Sequence, residues 1–78
     1  MNELAERICS LLNAGRPAAV ATILSREGSA PRTAGSKMVV DDRGGFVGTV
    51  GGGKLEAEVL AAAETVLAHG RPTKLLFD

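Results

Sequence analysis

Three consecutive glycines followed by a lysine, Gly51, Gly52, Gly53 and Lys54, have the clearest potential for ligand chemistry in this sequence. Glycine loses the most backbone freedom on folding, so such a run needs a structural or functional reason. Without Cβ atoms, backbone N–H groups can approach a ligand closely, and at a helix N-terminus they favour an anion such as phosphate. Lys54 adds a positive charge, and the Glu56 carboxylate can bond back to the amides of the turn. The pattern predicts an anion-binding turn.

A second ligand-type loop occupies residues 28–36 and is rich in glycine, proline and hydroxyl side chains. Arg32 lies in its centre, and a guanidinium can hold a phosphate through two parallel hydrogen bonds. If both loops open at one edge of a sheet, they converge on a single phosphate-bearing ligand, which is the prediction we make. The alternative is that residues 28–36 form only a polar surface connection.

Other uses of the glycine turn fit the sequence less well. Residues 48–54 match the G-x-x-x-x-G-K pattern of a P-loop, but Leu55 stands where a hydroxyl should bind magnesium. The glycine spacing is also wrong for a dinucleotide-binding fold. We find no nucleophile with a base, no paired carboxylates in an apolar setting and no metal-ligand cluster, so we expect no catalysis by this chain. Asp41 and Asp42 are assigned to a turn and not to a metal site.

The elements that must position these loops follow from hydrophobic periodicity and turn signals. We predict a small α/β domain of two or three layers, with two helices and a mixed sheet of about four strands. The helices are predicted at residues 2–13, with Leu4, Ile8, Leu11 and Leu12 on the apolar stripe, and at residues 54–68. The strands are predicted at residues 18–24, as a central strand covered on both faces, at 37–40 and 46–50, as an antiparallel hairpin, and at 73–78.

Composition limits the classes of partner. The 78 residues form one domain, and their nine basic and nine acidic side chains cancel, which argues against nonspecific binding to nucleic acid or acidic membranes. The core is light, with Phe46 and Phe77 as the only aromatic residues, so we expect a homo-oligomer or docking onto another domain. A single cysteine, no signal peptide and no membrane-length apolar run predict a soluble cytoplasmic domain. The apolar end of the sequence suggests a domain cut from a longer chain.

Residues 22–32, 35–40 and 48–58 together resemble the N-terminal domain of the XdhC/CoxI family, the xanthine dehydrogenase accessory proteins. The resemblance is carried by G-S-A-P-R-x-x-G, beginning at Gly28, and by G-G-G-x-L-E, beginning at Gly51. The joint presence of the two motifs is far more specific than either alone. Family members also continue into a C-terminal Rossmann-like domain, which has no counterpart in residues 1–78.

The resemblance implies a maturation factor and not an enzyme. Such proteins bind the molybdenum cofactor, molybdopterin or its dinucleotide form, as cargo, protect it, and promote its sulfuration and insertion into an apo molybdenum hydroxylase of the xanthine dehydrogenase type. A sulfurtransferase is a further partner. The matching positions form the candidate cofactor-binding set: Gly28, Ser29, Pro31, Arg32, Gly35, Gly51, Gly52, Gly53, Lys54 and Glu56.

One departure from the family pattern changes the expected chemistry. Many members of the CoxI branch carry a cysteine after the glycines, where this sequence has Lys54. A thiolate ligand to molybdenum is therefore excluded at that position, and contact must go through phosphate or pterin. Two alternatives stay open: a structural or oligomerisation domain without a ligand, and a generic nucleotide-phosphate binder.

Overall fold

The computed structural model describes residues 2–24 and 35–75. Its elements are, in chain order, helix α1 (Glu3–Asn13), strands β1 (Ala18–Thr22), β2 (Lys37–Asp41) and β3 (Phe46–Gly48), and helix α2 (Gly53–His69). The α/β class and both helices are therefore confirmed. Neither helix of the described part combines the length and the apolar composition needed to span a bilayer.

Helix α1 begins and ends through the local interactions that its sequence predicts. The Asn2 side chain accepts a hydrogen bond of 2.8 Å from the Ala5 N–H and caps the first turn. At the other end, Gly15 N–H donates to Leu12 O at 3.0 Å and Arg16 N–H to Leu11 O at 2.8 Å, the two bonds of a Schellman motif. Leu11 is buried, but Leu12, predicted on the apolar stripe, is 63% exposed.

The three strands form one antiparallel sheet in the order β1–β2–β3. Among the described strands β2 is central and β1 lies at an edge, whereas residues 18–24 were predicted to form a central strand. The reason is the path of the chain, because β2 folds back between both neighbours and buries Met38, Val39, Val40 and Asp41. The described sheet has three antiparallel strands, where a mixed sheet of about four strands was predicted. Residues 73–75 are described and form no strand, and residues 76–78 lie outside the described ranges.

The sheet separates two layers of helix. Asp41 binds Arg7 of α1, so Asp41 and Val39, which alternate with Val40 along β2, face α1. On the other face, Met38 and Val40 pack against α2 in two clusters that include Val59 and Ala63, respectively. Helix α2 covers β1 and β2, whereas α1 lies over all three strands. The domain is therefore three-layered.

The turn between β2 and β3 is organised by Asp41. Its Oδ1 accepts hydrogen bonds from the N–H groups of Arg43, at 2.7 Å, and Gly45, at 2.9 Å. Its Oδ2 lies 2.7 Å from Arg7 Nη2 and 3.5 Å from Arg16 Nη2. Arg16 also pairs with Asp42 at 2.8 Å. The predicted turn role of these two carboxylates is confirmed.

Candidate functional site

The glycine turn starts where β3 ends against the first residue of β2. Gly48 has a φ of +90°, and a Cβ atom there would collide with the backbone oxygen of Lys37. An L-residue at this position would be strained and would also push the two strands apart. Gly48 therefore fixes the direction in which the chain leaves the sheet toward α2.

Gly52 caps the N-terminus of α2 without any side-chain hydrogen bond. Its φ of 77° and ψ of −172° lie in a region that only glycine adopts readily. A Cβ atom at Gly52 or at Gly53 would meet nothing within 4 Å, so the space beside both residues is open. Backbone conformation, and not close packing, requires glycine at position 52.

The first turn of α2 has hydrogen-bond donors that no described residue accepts. The Glu56 N–H reaches Gly52 O at 3.4 Å, but the N–H groups of Gly53, Lys54 and Leu55 have no acceptor within the described residues. Lys54 is exposed and forms no salt bridge in this part of the chain. These donors and the positive end of the helix macrodipole make the local potential favourable for an anion.

A threonine that sequence reasoning missed links the turn to the helix. Thr49 Oγ1 donates to Glu56 Oε1 at 2.5 Å and accepts from the Gly51 N–H at 3.1 Å. The Glu56 carboxylate thus has a hydroxyl partner, where we predicted bonds to the amides of the turn. A hydroxyl two residues before Gly51 is typical of a Ser/Thr turn, and this signal could have identified Thr49.

The second loop is described only at its end. Gly28, Ser29, Pro31 and Arg32 lie outside the described residues, so their predicted roles stay predictions. Gly35 is exposed, and its N–H donates to Ile23 O at 2.8 Å. This bond lies just beyond Thr22 and Lys37, the last paired residues of β1 and β2 at this end.

Both loops connect to the sheet at the same end. Thr22 pairs with Lys37, and Met38 pairs with Gly48. Leu24, which precedes the second loop, and Gly35, near its end, therefore lie at the end of the sheet where the glycine turn starts. This common end was a condition of the predicted convergence. The ammonium group of Lys37, which we did not single out in the sequence, also lies at this end of the sheet. Its Nζ donates to Thr22 Oγ1 at 3.3 Å.

The donor set fits a phosphate better than a metal ion. No group of three or more His, Cys, Asp or Glu side chains that could hold a metal occurs in the described residues. The glycine turn instead combines N–H donors, an ammonium group and open space beside glycines, which is what an anionic oxygen needs. An open depression elsewhere lies between the last turns of α2 and residues 71–75, away from the glycine turn.

Comparison with curated proteins and with solved structures gives no match. Comparison with protein families matches residues 11–78 to the XdhC and CoxI family. The matched segment includes the whole sheet, both ligand-type loops and α2. It covers most of the sequence, and membership of this accessory family connects the chain with the maturation of xanthine dehydrogenase. The chain belongs to the XdhC and CoxI family.

Proposed function

We propose that this chain binds the molybdenum cofactor and assists its sulfuration and its insertion into an apo molybdenum hydroxylase of the xanthine dehydrogenase type. Family membership supports the general role. The observation that supports binding at the glycine turn is the first turn of α2, which has no side-chain cap, where three N–H groups lack acceptors within the described residues and Lys54 is exposed.

The phosphate of the cofactor is the group that this turn is suited to hold. The N–H groups of Gly53, Lys54 and Leu55 donate to its oxygens, and Lys54 Nζ adds a charge. The hydrogen bonds of Thr49 with Glu56 and with the Gly51 N–H stabilise the conformation of the turn. Arg32, in the second loop, supplies a further contact to the anion. The chain thereby carries and presents its cargo, and a sulfurtransferase partner supplies the sulfur.

The first test is thermal unfolding of the protein with and without purified molybdenum cofactor. Ligand at about 100 times Kd adds roughly 2.7 kcal/mol to the free energy of unfolding, a shift of several degrees for a domain of this size. GTP and inorganic phosphate serve as controls. A shift with the cofactor alone supports the proposal, and the absence of any shift contradicts it.

A substitution separates binding at this turn from binding elsewhere. Lys54→Ala removes the exposed ammonium group and should weaken cofactor binding by about tenfold, with an unchanged melting temperature in the absence of ligand. Lys74→Ala is the matched control, because Lys74 is also exposed but lies beyond α2. Equal affinity in both variants and the parent would refute the assigned location.

The second candidate is a generic nucleotide-phosphate binder, and it is supported by the same N–H groups at the start of α2. It predicts that GTP protects the protein as strongly as the cofactor does. The structural alternative, in which the glycines serve conformation alone, draws on the unusual dihedral angles of Gly52. It predicts that Gly52→Ala destabilises the domain and that no anion stabilises the parent protein.

A further inference from the structure

Strand β1 has an outer edge whose backbone groups lack partners among residues 2–24 and 35–75. Ile23 N–H donates to Ser36 O at 2.9 Å, so the backbone of residue 23 points toward β2. In an antiparallel pair this direction alternates along the strand. The N–H and C=O groups of Ala18, Val20 and Thr22 therefore point away from β2, and no described residue bonds to them.

The side chains along this edge are uncharged and partly apolar. Val20, in the middle of β1, is 53% exposed on the face that carries α1, because it lies opposite Val39. Leu24 is 65% exposed just beyond the strand. Strand β1 contains no lysine, proline or other residue of the kinds that protect edge strands from pairing.

The opposite edge of the sheet is protected. Strand β3 has only three residues and ends at Gly48, whose positive φ turns the chain away. A short edge strand that bends away is a common protection against pairing with another chain. Of the two edges, β1 is the one that the described residues leave open to another strand.

We propose that β1 pairs with β1 of a second copy of this chain, antiparallel and centred on Val20. In this register Val20 lies opposite Val20 of the other copy, and Ala18 lies opposite Thr22. All three outward-facing residues then exchange their N–H and C=O groups, and the two sheets become one. The Val20 side chains meet across the two-fold axis on the face that carries α1.

Symmetry and charge favour a second copy over an unrelated strand. A two-fold axis requires a self-complementary edge, and β1 has five residues whose central one points outward, so one axis satisfies every outward group. Strand β1 itself carries no charged residue, so the register places no two charged side chains directly opposite each other. The charges beside it have partners, because Arg16 is paired with Asp41 and Asp42 and Lys37 donates to Thr22 Oγ1. A small domain also gains the additional buried surface that it needs.

The test is sedimentation equilibrium of the parent protein and of Val20→Lys. Lysine at the centre of the edge would place two like charges opposite each other, so we expect a dimer for the parent and at least a tenfold weaker dimer for the variant. Phe46→Lys is the matched control, because Phe46 is 47% exposed on the other edge strand, and it should leave the dimer intact. Circular dichroism confirms that each variant is folded.

Amide hydrogen exchange of the parent protein tests the register without any substitution. The Val20 and Thr22 amides should become at least tenfold more protected on passing from dilute to concentrated protein, whereas those of Ala19 and Ala21, which point toward β2, should be protected at both concentrations. A monomer up to about 1 mM overturns the proposal. So does a dimer in which Val20 exchanges freely, or protection that is independent of concentration. None of these outcomes bears on cofactor binding at α2.

Discussion

Asp41 shows at the scale of one residue how a charged side chain can occupy the centre of this small fold. Its side chain is only 4% exposed, yet each carboxylate oxygen has a donor: two backbone N–H groups for Oδ1 and the Arg7 guanidinium for Oδ2. A buried carboxylate without such partners would be strongly destabilising. Asp41 thus joins the hairpin turn to α1.

The protonation of Asp41 should control stability in acid. The backbone N–H of Arg43, the Arg7 guanidinium and the backbone N–H of Gly45 lower the pKa of this carboxyl from 3.8 to about 2. Because the folded pKa lies below the ordinary value, the unfolded chain takes up the proton first. The stabilisation is complete above about pH 4 and is lost as the pH falls toward 2.

Thermal unfolding between pH 5 and pH 2, at constant ionic strength, measures this dependence. Asp41→Asn should lower the melting temperature at pH 5 and flatten the fall between pH 4 and pH 2, because the titrating group is gone. Asp42→Asn is the control, since Arg16 is the one described residue that binds the Asp42 carboxylate, and it should retain the fall. An equally steep fall in Asp41→Asn would assign the acid transition to other groups.

At the scale of the elements, the sequence predicted what local interactions decide. The ends of α1 follow from Asn2 and Gly15, and the hairpin between β2 and β3 follows from the acidic and glycine residues of its turn. The position of β1 in the sheet was not predicted, because pairing depends on contacts between distant residues. An apolar run such as residues 18–24 indicates a strand, but several of its side chains are alanines, and a strand with small side chains can also lie at an edge.

In the candidate site, too, the sequence predicted only the features that local interactions decide. Three glycines before an amphipathic helix indicate a turn with free N–H groups, and the structure has a turn whose N–H groups at residues 53–55 find no acceptor in the described part of the chain. The partner of Glu56 could not be read from periodicity, because Thr49 lies outside both flanking elements and reaches the carboxylate only in the folded turn. Side-chain links of this kind depend on the angle between β3 and α2.

The link between Thr49 and Glu56 predicts a modest contribution to the start of α2. Thr49→Val keeps the size of the side chain but removes both hydrogen bonds of the hydroxyl, which should cost about 1 kcal/mol because the site is exposed. Urea unfolding measures this loss. Thr65→Val is the matched control, because Thr65 is exposed on α2 and its hydroxyl forms no hydrogen bond with a described residue. Equal stability of the two variants would contradict a structural role for the Thr49 hydroxyl.

At the scale of the whole molecule, a small number of side chains form the core. Eight hydrophobic residues of the described ranges are buried, and three of them, Met38, Val39 and Val40, come from the central strand. A chain of this size has a free energy of unfolding of roughly 4–12 kcal/mol. Any loss of packing at β2 is therefore a large fraction of the total, which agrees with a domain that gains stability from a ligand or from a second copy.

Met38 and Leu12 test where that stability originates. Met38 has no exposed surface and packs with Val50 and Val59, so Met38→Ala should lower the free energy of unfolding by about 2–5 kcal/mol. Leu12, which its position on the helical stripe placed in the core, is 63% exposed, and Leu12→Ala should change stability by less than about 0.5 kcal/mol. Urea unfolding of both variants under identical conditions gives the comparison. Removing an exposed leucine is costly only if another surface buries it. A loss at Leu12 as large as that at Met38 would therefore mean that α1 also packs against a surface other than the sheet.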